Sequence, residues 1–121
     1  MSRVVHFEIP ATDPEELSKF YINTFGWKFN KWGDQNYWLI ETGEKDEPGI
    51  NGGMMTKKDS AQPIVNSIDV KNIDEAAEAV SKNGGEIVVP KMAIPTVGWM
   101  FYFKDPDGNI FGAYQHDPEA K

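Results

Sequence analysis

Two side chains near the start of the chain, His6 and Glu8, have the types and spacing best suited to chemistry. Residues two apart in a strand share one face, so an imidazole and a carboxylate here would stand side by side. The imidazole changes charge near neutral pH and can bind a ligand group or exchange a proton. The carboxylate can act as a general base or raise the imidazole's pKa by its charge. A plainer reading has His6 satisfied within a sheet and Glu8 hydrogen-bonded or partly solvated, and the residues alone leave both readings open. With no cysteine in the chain, disulfides, thiolate zinc sites and a cysteine nucleophile are excluded. Gly52-Gly53 and Gly84-Gly85 do not lead from a strand into a helix as phosphate-loop glycines do, and they read as turn, bulge or cap residues. Asp105-Pro106-Asp107-Gly108 lacks the ligand ladder of a calcium loop and reads as a hairpin turn, while Glu41 to Glu47 reads as a solvated acidic loop.

The elements that must position His6 and Glu8 emerge from an internal repeat. Asp13 as helix cap, Pro14 at the first helical position and Glu16 three residues after the cap form a strong helix start. Leu17, Phe20, Tyr21 and Phe25 then supply an apolar stripe, and Gly26 closes the helix. In the second half Asn72 and Glu75 take the cap and third-residue roles, Ile73, Ala76 and Val80 carry the stripe, and Gly84-Gly85 ends it. The offsets agree: 72 − 13, 75 − 16 and 85 − 26 all equal 59. A strand precedes each helix, Val4–Ile9 and Ile64–Val70. Strands also follow: Trp27–Trp32, Tyr37–Thr42 and Ile50–Met55 in the first copy, and Glu86–Val89, Trp99–Lys104 and Asn109–Gln115 in the second. The pattern is βαβββ twice, with 93–97 and the tail 116–121 irregular.

Composition sets the outer bounds. A chain of 121 residues with 40% hydrophobic, 12% aromatic and 26% charged residues suits one folded domain, 1–121. Nineteen acidic against 12 basic side chains give a net charge of −7, which repels phosphate backbones and anionic lipid, so neither nucleic acid nor membrane is expected as a partner. No apolar run approaches the roughly 20 residues of a membrane span, and the first ten residues lack the form of a signal peptide. With the absence of cysteine, which suits a reducing compartment, this makes a cytoplasmic protein the expectation.

Taken together, the doubled βαβββ pattern, the first strand bearing His6, Phe20-Tyr21, Phe25-Gly26-Trp27 and the closing Asp105-Pro106-Asp107-Gly108-Asn109 resemble the vicinal oxygen chelate superfamily. Glyoxalase I, the bleomycin-resistance proteins and the extradiol dioxygenases belong to it. The resemblance implies an α+β fold: two tandem βαβββ modules, about 1–58 and 62–116, whose curved mixed sheets enclose a cleft. It also implies a homodimer for a chain of two modules. Metal-dependent members place one ligand in the first and one in the last strand of each module. Those places fall here on His6, Gly53, Val65 and Gly112, of which only His6 has a donor. A one-residue slip turns the side chain to the other face, as for Asn66 beside Val65; Asn51 near Gly53, and Gln115 and His116 near Gly112, are set aside with it.

The resemblance therefore implies a small organic ligand in a cleft with no metal and no cofactor, bordered by His6, Glu8, Met55 and Tyr114. His6 and Glu8 are the candidates for any proton chemistry. Met55 and Tyr114 enter because they share faces with Gly53 and Gly112, and the two glycines read as leaving room for an organic group. Trp27, Trp32, Trp38 and Trp99, with Tyr37 and Tyr102, offer further planar surfaces, although most must pack. Two alternatives stand beside this reading: a divalent-metal isomerase of the lactoylglutathione lyase kind, and an antibiotic-binding resistance protein whose acidic surface attracts a cationic drug.

Overall fold

The computed structural model describes residues 2–121; Met1, the first residue of the expected domain, lies outside the described residues. The element order is β1 (Val4–Ala11), α1 (Pro14–Phe25), β2 (Lys28–Lys31), β3 (Trp38–Glu41), β4 (Asn51–Thr56), β5 (Val65–Asp69), α2 (Ile73–Lys82), β6 (Glu86–Ile94), β7 (Gly98–Lys104) and β8 (Ile110–His116). This is βαβββ twice, an α+β fold. It divides into two compact units, one spanning His6–Ile64 and the other 65–121 together with the residues up to Val5.

In the His6–Ile64 unit the strand order is β2-β3-β4-β1, with β1 parallel to β4 and the other pairs antiparallel. Helix α1 begins as its sequence dictates: the Asp13 carboxylate accepts from the Glu16 amide at 3.3 Å, and Gly26 ends the helix in the left-handed region at φ 74°. Ile9, Ala11, Ile40 and Met54 form the buried core, with Leu17 and Tyr21 of the helix packed against it. Tyr21 also stacks on Trp27, the ring centroids 4.9 Å apart and the planes within 5°. The expected helix stripe is only half buried, however. Phe20 packs edge-on against Tyr21 and stays 54% exposed, and Phe25, the last helical residue, is 63% exposed.

The second unit repeats the plan with the order β5-β8-β7-β6, and β5 is parallel to β8. Asn72 caps α2 by accepting from the Glu75 amide at 3.0 Å, and Ile73, Phe101 and Ala113 form the core under Ala76 and Val80. Helix α2 closes differently from its mate. Asn83 is the cap at φ −99°, and the left-handed residue is Gly84 at φ 93°, one place before the repeat would put it.

Two expectations of irregularity hold in part: 95–97 and 117–121 are turn or coil, whereas 93–94 and His116 lie in strands. Strand β6 continues to Ile94, because Met92, Ala93 and Ile94 pair with Met100, Trp99 and Gly98 beyond irregularities in the β6–β7 register. The tail is anchored: Asp117 N donates to Val97 O, Thr96 N donates to Ala120 O, and the Trp99 indole donates to the Asp117 carboxylate at 2.9 Å. Ala120 is consequently buried. Among the described residues no helix is long and apolar enough to cross a membrane.

Candidate functional site

Alternation along β1 separates two faces. Phe7, Ile9 and Ala11 join the core or pack against it, beneath α1, which leaves His6 and Glu8 on the opposite face. The parallel pairing with β4 sets His6 beside Asn51, Glu8 beside Gly53, and Pro10 beside Met55. On the far side of β4, Leu39 of β3 pairs with Gly53. Tyr37, two residues before Leu39, leans from the same side over this patch.

The outcome is a short chain of hydrogen bonds. The Tyr37 hydroxyl donates to Glu8 Oε2 at 2.9 Å and lies 2.7 Å from His6 Nε2. A hydroxyl has one proton, and a carboxylate can only accept. With that proton directed at Glu8, the 2.7 Å contact requires Nε2 to carry a hydrogen and donate. The order is then imidazole N–H to phenol oxygen, and phenol O–H to carboxylate. Glu8 is buried, only 9% exposed, on a strand whose neighbour offers no side chain at Gly53. Burial lowers the pKa of His6 below its ordinary value, and the nearby charge of Glu8 opposes that shift without reversing it. The imidazole is accordingly neutral at pH 7, and Nδ1 bears a lone pair.

Gly53 explains how Tyr37 fits. A β-carbon there would fall on the Tyr37 hydroxyl, so only glycine admits the ring. The expectation that this glycine leaves room for an organic group is thus corrected: the protein's own tyrosine takes the space. Gly112 is similar, since a β-carbon there would stand 2.9 Å from Ser67 Oγ and 3.3 Å from a Tyr102 ring carbon.

Of the residues expected at the site, His6 and Glu8 are brought together, but through Tyr37 rather than directly. Met55 lies on the same sheet face, paired with Pro10. Tyr114 belongs to the other unit, where its hydroxyl donates to Val97 O at 3.1 Å and lies 3.3 Å from His116 Nδ1. Asn51, set aside by the register argument, pairs directly with His6, and its Oδ1 accepts from the Thr42 amide at 3.0 Å. Tyr37 is the residue that sequence reasoning missed as a site residue. Its signal was present: a tyrosine two residues before a strand position that pairs with an in-strand glycine can lie over that glycine.

The four places that the resemblance offers a metal do not supply a ligand set. His6 Nε2 is engaged by Tyr37, Gly53 is covered by it, Val65 is a buried hydrocarbon, and Gly112 faces Ser67 and Tyr102. Among the described residues no three His, Cys, Asp or Glu side chains converge as metal ligands.

Comparison with known proteins fixes the family. The model of the Glyoxalase/Bleomycin resistance protein/Dioxygenase superfamily matches residues 3–112. The chain belongs to that superfamily. A glyoxylase-like domain-containing protein of Didymella fabae is 34% identical over 111 residues, 84% of each chain. The protein CFP32 of Mycobacterium bovis is 26% identical over 117 residues, which are 89% of this chain but 43% of that protein. The chain therefore spans less than half the length of that second superfamily relative. A crystal structure of a superfamily member from Vibrio splendidus 12B01 superposes with a TM-score of 0.66 at 15% identity, covering 97% of this chain and all of that one, and it shares the fold.

Proposed function

We propose that this superfamily member binds a small organic ligand at the open sheet face around His6, and that it does so without a metal ion. The observation that carries the reading is the placement of Tyr37. Its hydroxyl engages both His6 and Glu8, and its ring fills the place where a last-strand ligand would stand. A metal held by His6 would have to compete with the Tyr37 hydrogen bond and find its other ligands elsewhere, whereas catalytic sites usually combine about three protein ligands. A neutral imidazole beside exposed apolar side chains suits an uncharged organic molecule, with Leu39 44% exposed and Trp32 39% exposed.

The same reading takes the protein as a cytoplasmic homodimer with no nucleic-acid or membrane partner. A chain without cysteine and a net charge of −7 support the compartment and the excluded partners, and the family's habit of pairing modules supports the dimer. Native mass spectrometry of protein purified without chelator or affinity metal, joined to calorimetric titration with nickel, zinc and manganese, tests the reading. The expected result is a metal-free dimer and no stoichiometric heat. A tightly held ion that is lost in His6→Ala would replace this reading with the metal-dependent isomerase.

A further inference from the structure

We propose that Asn83 is a site of spontaneous deamidation, a one-way modification that takes only water and loosens the end of α2. Two asparagines in the chain precede a glycine, Asn51 and Asn83, and both stand in an Asn-Gly-Gly sequence. Such a pair is reactive because glycine has no side chain to hinder its own amide nitrogen. That nitrogen attacks the asparagine Cγ and a C–N bond forms. The displaced nitrogen takes the glycine proton and leaves as ammonia, which closes a five-membered succinimide. Water then adds to one of the two imide carbonyls and breaks its C–N bond. The product is aspartate, or isoaspartate with the main chain routed through Cγ.

The fold treats the two pairs differently. Asn51 begins β4, and Gly52 is buried between Phe7 of β1 and Ile40 of β3. Asn51 Oδ1 also accepts from the Thr42 amide at 3.0 Å. A strand paired on both sides keeps the Gly52 nitrogen away from Asn51 Cγ until that part of the sheet opens. Asn83 instead closes α2, and both it and Gly84 are exposed. Its side-chain amide donates to Ala79 O at 2.8 Å, and Gly84 N donates to Ser81 O at a long 3.3 Å. For attack, Nδ2 must leave Ala79 O and the Asn83 ψ must turn from 17°. Both restraints lie in the last turn of a helix, where opening requires far less free energy than in a central strand. The surroundings leave room for the turn, since a β-carbon at Gly84 would meet nothing nearer than Pro106 Cγ at 3.7 Å.

The product alters the helix end. Ala79 O accepts from the Asn83 backbone at 3.0 Å as well as from its side chain, and a carboxylate at this position cannot donate. Its charge also falls at the negative end of the helix dipole. Isoaspartate adds a methylene to the link into β6, beside Gly85, whose own β-carbon would already stand 2.9 Å from Lys104 O.

The test ages the full chain at mildly alkaline pH, folded and in urea, and follows both sites by peptide-resolved mass spectrometry as –NH2 gives way to –OH. With each rate taken relative to its own rate in urea, Asn83 should convert at least about tenfold faster than Asn51 in the folded protein. Asn83→Asp stands in for the product. In it, amide exchange at Gly85, whose N–H donates to Val80 O, should quicken about two- to fivefold, the factor that one unfavourable charge at a helix end implies. Equal relative rates at the two sites, or an Asn83 that stays intact in the folded chain while it converts in urea, would overturn the assignment. Unchanged exchange in Asn83→Asp would overturn the loosening of α2.

Discussion

Replacing Tyr37 with phenylalanine should destabilise the protein by about 2–4 kcal/mol. The change keeps the ring that lies over Gly53 and removes only the hydroxyl. One of the two lost hydrogen bonds runs to a carboxylate on a buried residue, where such a bond contributes about 1.5–3 kcal/mol, and the other is to a neutral imidazole at about 1 kcal/mol. Unfolding entropy of about 2.1 cal/mol/K per residue makes each kcal/mol worth about 4 °C in a domain of 121 residues, so the midpoint should fall by about 8–16 °C. Calorimetry or thermal circular dichroism reads this directly. Tyr21→Phe is the matched control, because the Tyr21 ring stacks on Trp27 while its hydroxyl makes no hydrogen bond among the described residues. That change should stay within about 0.5 kcal/mol. Equal midpoints for the two variants would refute the hydrogen-bonded chain through Tyr37.

Because burial lowers the pKa of His6, the unfolded chain takes up its proton first as the pH falls. Stability should decline from the unfolded value near 6.5 down to the lowered folded value and then level for this group, and urea unfolding across that window should lose the decline in His6→Asn. Gly53→Ala must displace the Tyr37 hydroxyl, and the strain should cost about 1–3 kcal/mol in urea midpoints beyond the helix-cap control Asn72→Ala, itself about 1 kcal/mol. Phe101→Ala, at a fully buried position, should cost about 3–5 kcal/mol by the same assay. Truncation after Gln115 should raise amide exchange at Thr96, whose N–H donates to Ala120 O.

The repeat was legible because caps and stripes are local signals. Asp13 and Asn72 cap the helices they were expected to cap, and β1, β3, β4 and β8 begin within a residue of expectation. What failed was set by pairing rather than by local pattern. The local pattern placed the end of β6 at Val89, yet the strand continues through an irregular register because Met92 to Ile94 find partners on β7. The tail is irregular as expected, but its anchoring was not legible, because the anchors are Thr96, Val97 and Trp99, which lie about 20 residues earlier in the chain. At the site, His6 and Glu8 were readable from spacing two, but their connection was not. It depends on a tyrosine 29 residues beyond Glu8, just before β3, and β3 reaches β1 only across β4.

The repeat also shows why only one module carries this relay. Glu8 and Ser67 are separated by 67 − 8 = 59 residues, as are Gly53 and Gly112, and each first-strand residue pairs with its own module's glycine. Each glycine also has a tyrosine over it, Tyr37 in one module and Tyr102 in the other. The covering rings come from different register positions, since Tyr102 pairs directly with Gly112 whereas Leu39 takes that place beside Gly53. The two modules thus reach the same packing by separate routes, while their chemistry differs at the first-strand residue. Serine in place of glutamate offers no carboxylate, and Val65, in place of His6, offers no imidazole. Transplanting the pair as Val65→His with Ser67→Glu would therefore place the same two groups beside Gly112 and Tyr102. A second histidine nitrogen signal with a bare Nδ1 would show that the strand pair, the glycine and the tyrosine suffice to build the relay, and a protonated Nδ1 would show that Tyr37's offset register is also required.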